Sequence, residues 1–507
     1  MREMNNQLSF GTDGIRGKVG IFPFTPHDME RLGAALGAWR MGKKVDEPFV
    51  IMIGSDTRAS CEFIKKALIA GLSGTQVQII DVGVVAIPVL LWALNNDEKA
   101  DCAIMISASH NPASDNGIKI LARKTGSISS SDEQLIAQHF ESIAKHPQIH
   151  TFSFSKNNHP YPACPECFVS LNEQNVSKGE REKITLNGQP FDTFCVAKHS
   201  GNAGERMGPL VPANPQITID STATERYEQA LLAQCIPNFL AGKIIALDCA
   251  NGSLSTFSPA FFEKLGARVV ATGTCPDGNN INEHCGSTHP ESIINLVKQH
   301  HADIGFAFDG DGDRIVAVNQ NGDLKDGDDI LALLTIHPDY AQQPAVVATV
   351  VSNEGLNAFV QNKGMALVRA GVGEKHIIKQ LIELDLNLGG EPSGHIIIKS
   401  HLVRSDGLFV ALQLLKIAQL TNNWNLNSFE KYPSVSVNFH VTSRIPLENE
   451  PLKTIIAAYQ EQVPHGTIVI RYSGTEPLMR IVVQDKNLHH ATQVAQDIEA
   501  SLKKVLS

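Results

Sequence analysis

Short apolar runs alternate along the chain with segments whose apolar residues recur every third or fourth position. Strands are predicted over 49–53, 77–82 and 103–106, with a helix over 61–72 between the first two. The pattern lapses near His146. From there to about residue 215 the chain is rich in Asn, Ser, Lys, Pro and Gly, with only brief apolar stretches such as 152–154, and reads as an insertion with long loops. The rhythm resumes with a helix from residue 224, a strand over 243–248, a helix over 259–265, a strand over 267–272, a helix over 290–300 and a strand over 304–308. A third stretch follows, with a helix over 328–335, a strand over 345–351 and helices over 374–384 and 406–420. The last stretch has strands over 435–441, 467–471 and 479–483 and a final helix over 491–506. Strand–helix alternation of this kind implies α/β units with active groups on the loops after strands. The first three stretches look alike in layout, although no strict sequence repeat is visible. The boundaries expected are 1–145, 146–223 (insertion and linker), 224–320, 321–433 and 434–507.

Length agrees with this division, because 507 residues exceed one hydrophobic core and call for about three or four domains. A net charge of −10 without a long basic block argues against nucleic acid as a partner. Any anionic ligand must therefore be met by locally concentrated Arg and Lys. The N-terminus lacks the apolar core of a signal peptide, and no run of about 18 apolar residues predicts a membrane span. The 9 cysteines are scattered, as expected of reduced thiols in a cytoplasmic protein. Within the insertion, Cys164, Cys167, Cys195 and His199 have ligand types and spacing suited to Zn²⁺, against the plainer reading of an exposed loop with free thiols.

Five segments carry candidate chemistry. Ile106-Ser107-Ala108-Ser109-His110-Asn111-Pro112, closed by Asn116-Gly117-Ile118-Lys119, puts a hydroxyl, an imidazole, an amide and an amine on what reads as one loop. Ser109 is the better reactive candidate, and Ser107 suits a backbone hydrogen bond. Asp309-Gly310-Asp311-Gly312-Asp313-Arg314 supplies three carboxylates, with glycines expected to let them converge. Three such charges facing one point need a cation, and a sparse set of hard oxygen donors suits Mg²⁺. A calcium loop is the rival, but no bidentate Glu stands at its twelfth position. Together the serine and the carboxylates suggest a serine that carries phosphate beside a divalent metal. Arg471-Tyr472-Ser473-Gly474-Thr475-Glu476-Pro477, with Arg480, has the makings of a phosphate cradle. Gly390-Glu391-Pro392-Ser393-Gly394-His395 offers Glu391 and Ser393 to sugar hydroxyls, and Phe10-Gly11-Thr12-Asp13-Gly14-Ile15-Arg16-Gly17 offers a second phosphate contact. Each segment taken alone also fits an ordinary polar turn.

In this order, the five segments resemble the α-D-phosphohexomutases over residues 8–145 and 224–500. Three of them, the Phe10–Gly17, serine-loop and Ser-Gly-Thr-Glu-Pro segments, have the form typical of the branch that handles hexosamine phosphate. The resemblance implies three related α/β domains plus a smaller C-terminal α+β domain around a central cleft. It implies a phosphoserine at Ser109, with Ser109, Asp309, Asp311 and Asp313 holding Mg²⁺ and Arg16, His110, Lys119 and Arg314 at the transfer centre, Lys119 as candidate acid/base. Glu391 and Ser393 match the sugar loop, and Arg471, Ser473, Gly474, Thr475 and Arg480 the site for the phosphate that is not transferred. The implied reaction interconverts glucosamine 6-phosphate and glucosamine 1-phosphate through a bisphosphorylated sugar, which is both intermediate and activator. Glucose or mannose phosphate as main substrate is the rival, and a catalytically silent sugar-phosphate binder a more distant one. A homodimer is left open. The 146–223 segment is the chief departure from the family.

Overall fold

A computed structural model describes residues 7–11, 13–41, 48–145, 215–473 and 477–506. The Cys164, Cys167, Cys195 and His199 set, and with it the zinc reading, lies outside these residues, as do Gly474 and Thr475. The described residues form four sheets. The first holds β1 (Ile15–Lys18), β2 (Phe49–Ser55), β3 (Val77–Val84), β4 (Cys102–Ile106), β5 (Asp115–Leu121) and β6 (Gln216–Ile219), in the order β1-β5-β4-β2-β3-β6. The second holds β7 (Ile244–Asp248), β8 (Arg268–Thr272), β9 (Ile304–Phe308), β10 (Ile315–Asn319) and β11 (Leu324–Lys325), in the order β11-β10-β9-β7-β8. The third holds β12 (Ala345–Thr349), β13 (Ala366–Ala370), β14 (Leu388–Gly390) and β15 (Ile396–Ile398), in the order β13-β12-β14-β15. The fourth, antiparallel, holds β16 (Ser434–His440), β17 (Thr467–Tyr472) and β18 (Leu478–Gln484), with β18 central.

The first three sheets share one plan. In each, a first strand (β2, β7 or β12) lies between a second and a third, both parallel to it, and a fourth returns antiparallel beside the third. The likeness of layout seen in the sequence is therefore a threefold repeat of topology.

Strand β2 shows why the apolar runs are unbroken. All seven of its residues are buried, since a parallel strand covered by helices on both faces has no solvent side. Val50 and Met52 join the cluster containing Leu90 and Leu94 of the helix Ile87–Asn96, and Ile51 and Ile53 the cluster containing Ile64 and Leu68 of the helix Cys61–Gly71. The first of these clusters continues through Tyr227, Leu231 and Phe306 to Leu331, Leu408 and Leu412. One cluster thus runs through all three repeated units, each of which also has a cluster of its own, and the fourth sheet has a separate core built on Met479, Ile481, Val494 and Ile498.

Two readings need correction. Residues 216–219, taken as linker, form β6 and pair in parallel with β3. Lys119, taken as part of a loop, lies within β5, between β4 and β1, where it is 2% exposed. No helix among the described residues is long and apolar enough to cross a membrane.

The fourth unit meets the third around Gln484, which is buried. Its Oε1 accepts from Glu354 N at 2.8 Å and its Nε2 donates to Val351 O at 3.3 Å. Beside this joint, Asp328 is buried and accepts from Asn353 N at 2.7 Å. Burial, with Asp326 adding to it, pushes the Asp328 carboxyl up to about 7. The folded state then holds a proton that the unfolded state releases. The carboxyl's contribution to stability is complete below the unfolded value and is lost as pH rises toward 7. Asp328→Asn, which keeps an acceptor for Asn353 N, is expected to be more stable than the parent at about pH 8 and little changed at about pH 4. Denaturant midpoints at the two pH values test this.

Candidate active site

Each repeated unit lends the same turn, the one joining its third strand to its fourth. In the first unit this is the Ser109 loop between β4 and β5. In the second it is the Asp309–Arg314 loop between β9 and β10, and in the third the Glu391–His395 loop between β14 and β15. Parallel strands expose their carboxyl ends to ligands, and the three turns extend those ends.

The first two turns meet across the boundary between units. Ser109 Oγ donates to Asp309 Oδ2 at 2.6 Å, and His110 Nδ1 lies 3.2 Å from Ser109 Oγ. Ser107 Oγ accepts from Ser109 N at 2.8 Å, so Ser107 does make the backbone bond expected of it. Asp309, Asp311 and Asp313 are fully buried and bring a carboxylate oxygen each within 4.8 Å of one another. Asp311 Oδ1 and Asp313 Oδ1 are buried with no hydrogen-bond partner among the described residues. Burial, together with Asp313 and Asp311, raises the Asp309 carboxyl well above the usual range. Buried, repelling and partly unsatisfied carboxylates are what a divalent cation with oxygen ligands would stabilise, so the donor set fits Mg²⁺. The glycines between them serve another purpose than the one expected. A Cβ at Gly310 would stand 2.7 Å from Ser109 O, so this glycine admits the neighbouring unit's loop, and Gly312 turns the chain with φ of 75°.

Lys119 reaches the same carboxylates. Its Nζ lies 2.7 Å from Asp13, 2.8 Å from Asp311 and 3.0 Å from Asp313. Burial alone would lower its pKa, but these three carboxylates hold it well above the usual lysine value. Asp13 also pairs with Arg16 at 3.2 Å and with Arg404. Arg404, 1% exposed, further pairs with Glu374 at 3.0 Å and donates to Ser127 at 3.1 Å, joining the third unit to the first. Asp13 and Arg404 were not singled out from the sequence. Asp13 stood inside a segment noted only for its glycines and Arg16, whereas a single Arg between Val403 and Ser405 carries no signal of its own.

Arg314 is oriented by a residue also passed over. Its Nε donates to His395 Nε2 at 2.9 Å, so the proton of a neutral His395 ring sits on Nδ1, which faces Asp313 Oδ1 at 3.6 Å. His110 is held neutral. Burial, then Arg314 and Arg16, push its pKa down to about 3.

In the third turn, Ser393 Oγ donates to Glu391 Oε1 at 2.6 Å and Gly373 N donates to Oε2 at 3.1 Å. The turn is tied to the second unit where Ile315 N donates to Gly394 O at 3.1 Å. Arg471, Ser473 and Arg480 form a separate group on the fourth sheet. Arg471 and Arg480 are directly opposed across β17 and β18, and Arg480 Nη2 lies 3.5 Å from Ser473 Oγ. Like charges directly opposite on a sheet are unfavourable, and an anion bound between them would reverse the sign.

Three repeated α/β units that bring a serine, three carboxylates and several cations to one point define a phosphoryl-transfer enzyme of the sugar-phosphate mutase class. Residues 7–147, 226–322 and 326–431 match, in turn, the models for the alpha/beta/alpha domains I, II and III of phosphoglucomutase/phosphomannomutase. A phosphoglucosamine mutase of Aliarcobacter butzleri (strain RM4018) is 32% identical over 505 residues, 98% of this chain and 99% of that one. One from Bacillus cereus (strain B4264) is 33% identical over 483 residues, 94% of each. Among solved structures, a phosphoglucomutase/phosphomannomutase family protein from Burkholderia thailandensis superposes with a TM-score of 0.71 at 20% identity, over 98% of this chain and 97% of that one. The Aspergillus fumigatus N-acetylphosphoglucosamine mutase, in complex with GlcNAc-6P and magnesium, superposes with a TM-score of 0.58 at 14% identity, over 99% and 96%. The chain belongs to the phosphoglucomutase/phosphomannomutase family of α-D-phosphohexomutases, and it is a mutase.

Proposed function

We propose that this mutase interconverts glucosamine 6-phosphate and glucosamine 1-phosphate by way of a phosphorylated Ser109 and a bisphosphorylated sugar. The reaction type rests on one observation, the 2.6 Å contact of Ser109 Oγ with Asp309 in a buried trio of carboxylates. The choice of sugar rests on the full-length likeness to proteins named phosphoglucosamine mutase.

In this reading a sugar hydroxyl oxygen attacks the phosphorus on Ser109. The bond from phosphorus to Ser109 Oγ breaks, and the proton lost by the hydroxyl is balanced by the one that ends on Ser109 Oγ, so that the two oxygens exchange a phosphoryl group for a proton. The bisphosphorylated sugar then presents its other phosphate to the same oxygen, and the steps run in reverse. Asp309, Asp311 and Asp313, with the phosphate on Ser109, would hold Mg²⁺, which supplies charge neutralisation at the transferring group. Lys119, the candidate acid/base of the resemblance, is kept protonated by Asp13, Asp311 and Asp313 and brings positive charge to the transfer centre. His110, neutral and 3.2 Å from Ser109 Oγ, is fitted to accept a proton there. Arg16 and Arg314 supply positive charge toward the phosphoryl oxygens. Glu391 and Ser393 take the sugar hydroxyls. Arg471, Ser473 and Arg480, with Gly474 and Thr475, take the phosphate that stays, whose binding orients the reacting hydroxyl.

Turnover of glucosamine 6-phosphate against glucose and mannose phosphates, each with its bisphosphate as activator, tests the proposal. Faster turnover of either competitor would overturn the choice of sugar. Arg480→Ala is expected to raise KM for the sugar phosphate about 10- to 100-fold, the equivalent of about 1.5–3 kcal/mol for a charged hydrogen bond. An unchanged KM would remove Arg480 from the cradle.

A further inference from the structure

Ser109 holds a backbone conformation that an L-serine does not keep unaided. Its φ is 55°, in the left-handed region, and such a conformation persists at a functional site only where the surroundings over-determine it. The surroundings here are specific. Arg58, in the turn after β2, is 2% exposed. Its Nε donates to Asp56 Oδ2 at 3.0 Å. Its Nη1 donates to Pro112 O and, at 3.1 Å, to Asp115 O. Its Nη2 donates to Ser109 O at 3.0 Å and to Asn111 O at 2.7 Å. A guanidinium has five N–H donors. All five are engaged, four of them on carbonyls of the Ser109 loop and of the first residue of β5.

The second unit adds a further hold. Asn282 Nδ2 donates to the same two carbonyls, Ser109 O at 2.9 Å and Asn111 O at 3.1 Å. A carbonyl oxygen has two lone pairs, so both acceptors are filled. Ser107 Oγ holds Ser109 N at 2.8 Å, and Gly310 closes against Ser109 O. The main chain of Ser109 is fixed at both its N–H and its C=O, independently of the contacts of its side chain with Asp309 and His110.

We propose that Arg58 and Asn282 are positioning residues for phosphoryl transfer, holding the Ser109 main chain so that Oγ occupies one place as donor and as acceptor. The inference rests on the reading of Ser109 as the phosphate carrier. Its physical basis is that Ser109 must give up a phosphate and take one back at the same oxygen. Between the two transfers it lacks whatever contacts its phosphate makes, so the loop must be held through its backbone. Neither residue needs to touch sugar or phosphate. Because Asn282 belongs to the second unit, the hold on the loop is complete only where the serine and Asp loops are docked.

The test uses the full chain bearing Arg58→Lys, Asn282→Ala or Asn282→Asp, with kcat, KM, melting temperature and intact mass measured for each. Arg58→Lys keeps the charge but cannot span four carbonyls. Asn282→Ala removes the shared donor, and Asn282→Asp, nearly isosteric, sets a carboxylate against two carbonyl oxygens. Misplacement of a reacting atom by about 1 Å can lower rate about 100-fold. The expected result is a kcat loss of about that size with KM for the sugar phosphate within about twofold, the pattern of an interaction used only in the transfer step. Asn282→Asp should lose more than Asn282→Ala, an order that mere packing would not produce. Losses in the Arg58→Lys/Asn282→Ala double variant should fall short of the product of the singles, since both residues serve the same carbonyls. Should Arg58→Lys fail to fold, the Asn282 variants decide. A parent protein phosphorylated on Ser109, with Asn282→Ala turning over within about twofold of it or losing only in KM, overturns the inference alone. A parent that never carries phosphate on Ser109 overturns the reading beneath it.

Discussion

Ser109→Ala is expected to lower turnover of the sugar phosphate by about 10⁴-fold or more, the scale seen when a covalent nucleophile is removed from a working group of residues. The loss should fall on kcat, because in the proposed route the hydroxyl serves transfer and the cradle binding. Intact mass should show the phosphate on the parent protein and its absence from the variant. The variant removes little structural support, since among the described residues the hydrogen-bond partners of Ser109 Oγ are Asp309 and His110, both at the centre itself. An unchanged melting temperature would therefore accompany the loss. Turnover resembling that of the parent would sink the assignment of Ser109, and with it the proposed route through a phosphorylated enzyme.

Asp311→Asn should have the next largest effect. Asp311 is fully buried, its Oδ2 pairs with Lys119 at 2.8 Å, and among the described residues its Oδ1 makes no hydrogen bond, which leaves one oxygen placed for an ion. Excess Mg²⁺ should raise the melting temperature of the parent, because an ion that binds only the folded state stabilises it by about 2.7 kcal/mol at 100 times its dissociation constant. Asp311→Asn should abolish that shift and lower kcat by about 10²-fold to 10³-fold, as expected when one element of a preorganised charge-stabilising site is lost. A chelator should mimic the variant in the parent protein and leave the variant unaffected. A melting shift that survives the substitution would move the ion elsewhere.

Much of the frame was legible in advance, for identifiable reasons. Strands fully covered by helices read as unbroken apolar runs, so 49–53 and 304–308 were found within two residues of β2 and β9. The serine and carboxylate loops were legible because their chemistry is concentrated in a few consecutive residues. Other parts were hidden by the physics that shapes them. The helix Pro26–Met41 contains Gly33 and Gly37, which weaken a helical reading. Gly33 is there because a Cβ would stand 2.1 Å from Leu68 O in the next helix. β5 was hidden because Asn116 and Lys119 interrupt its apolar pattern, although both are buried. Arg58, Asn282, His395 and Arg404 were silent because each acts on a partner far along the chain. Asn282 and Ser109 are 173 positions apart, and Arg404 and Asp13 are 391 apart. A sequence read locally cannot place such pairs together.

The repeated strand order also bears on how the chain finds its fold. Three sheets of one plan in a single polypeptide offer each newly made third strand more than one cleft of nearly the right shape. Exchange of strands between look-alike units is a known failure of proteins built from repeats. The three first strands answer this with different side chains, Phe49–Ser55, Ile244–Asp248 and Ala345–Thr349, of seven, five and five residues. Register in a buried strand is set by which side chains fit the neighbouring layer. Divergence of sequence, which conceals the triplication from a reader of the chain, is what allows each strand to reject the wrong partner while the protein folds.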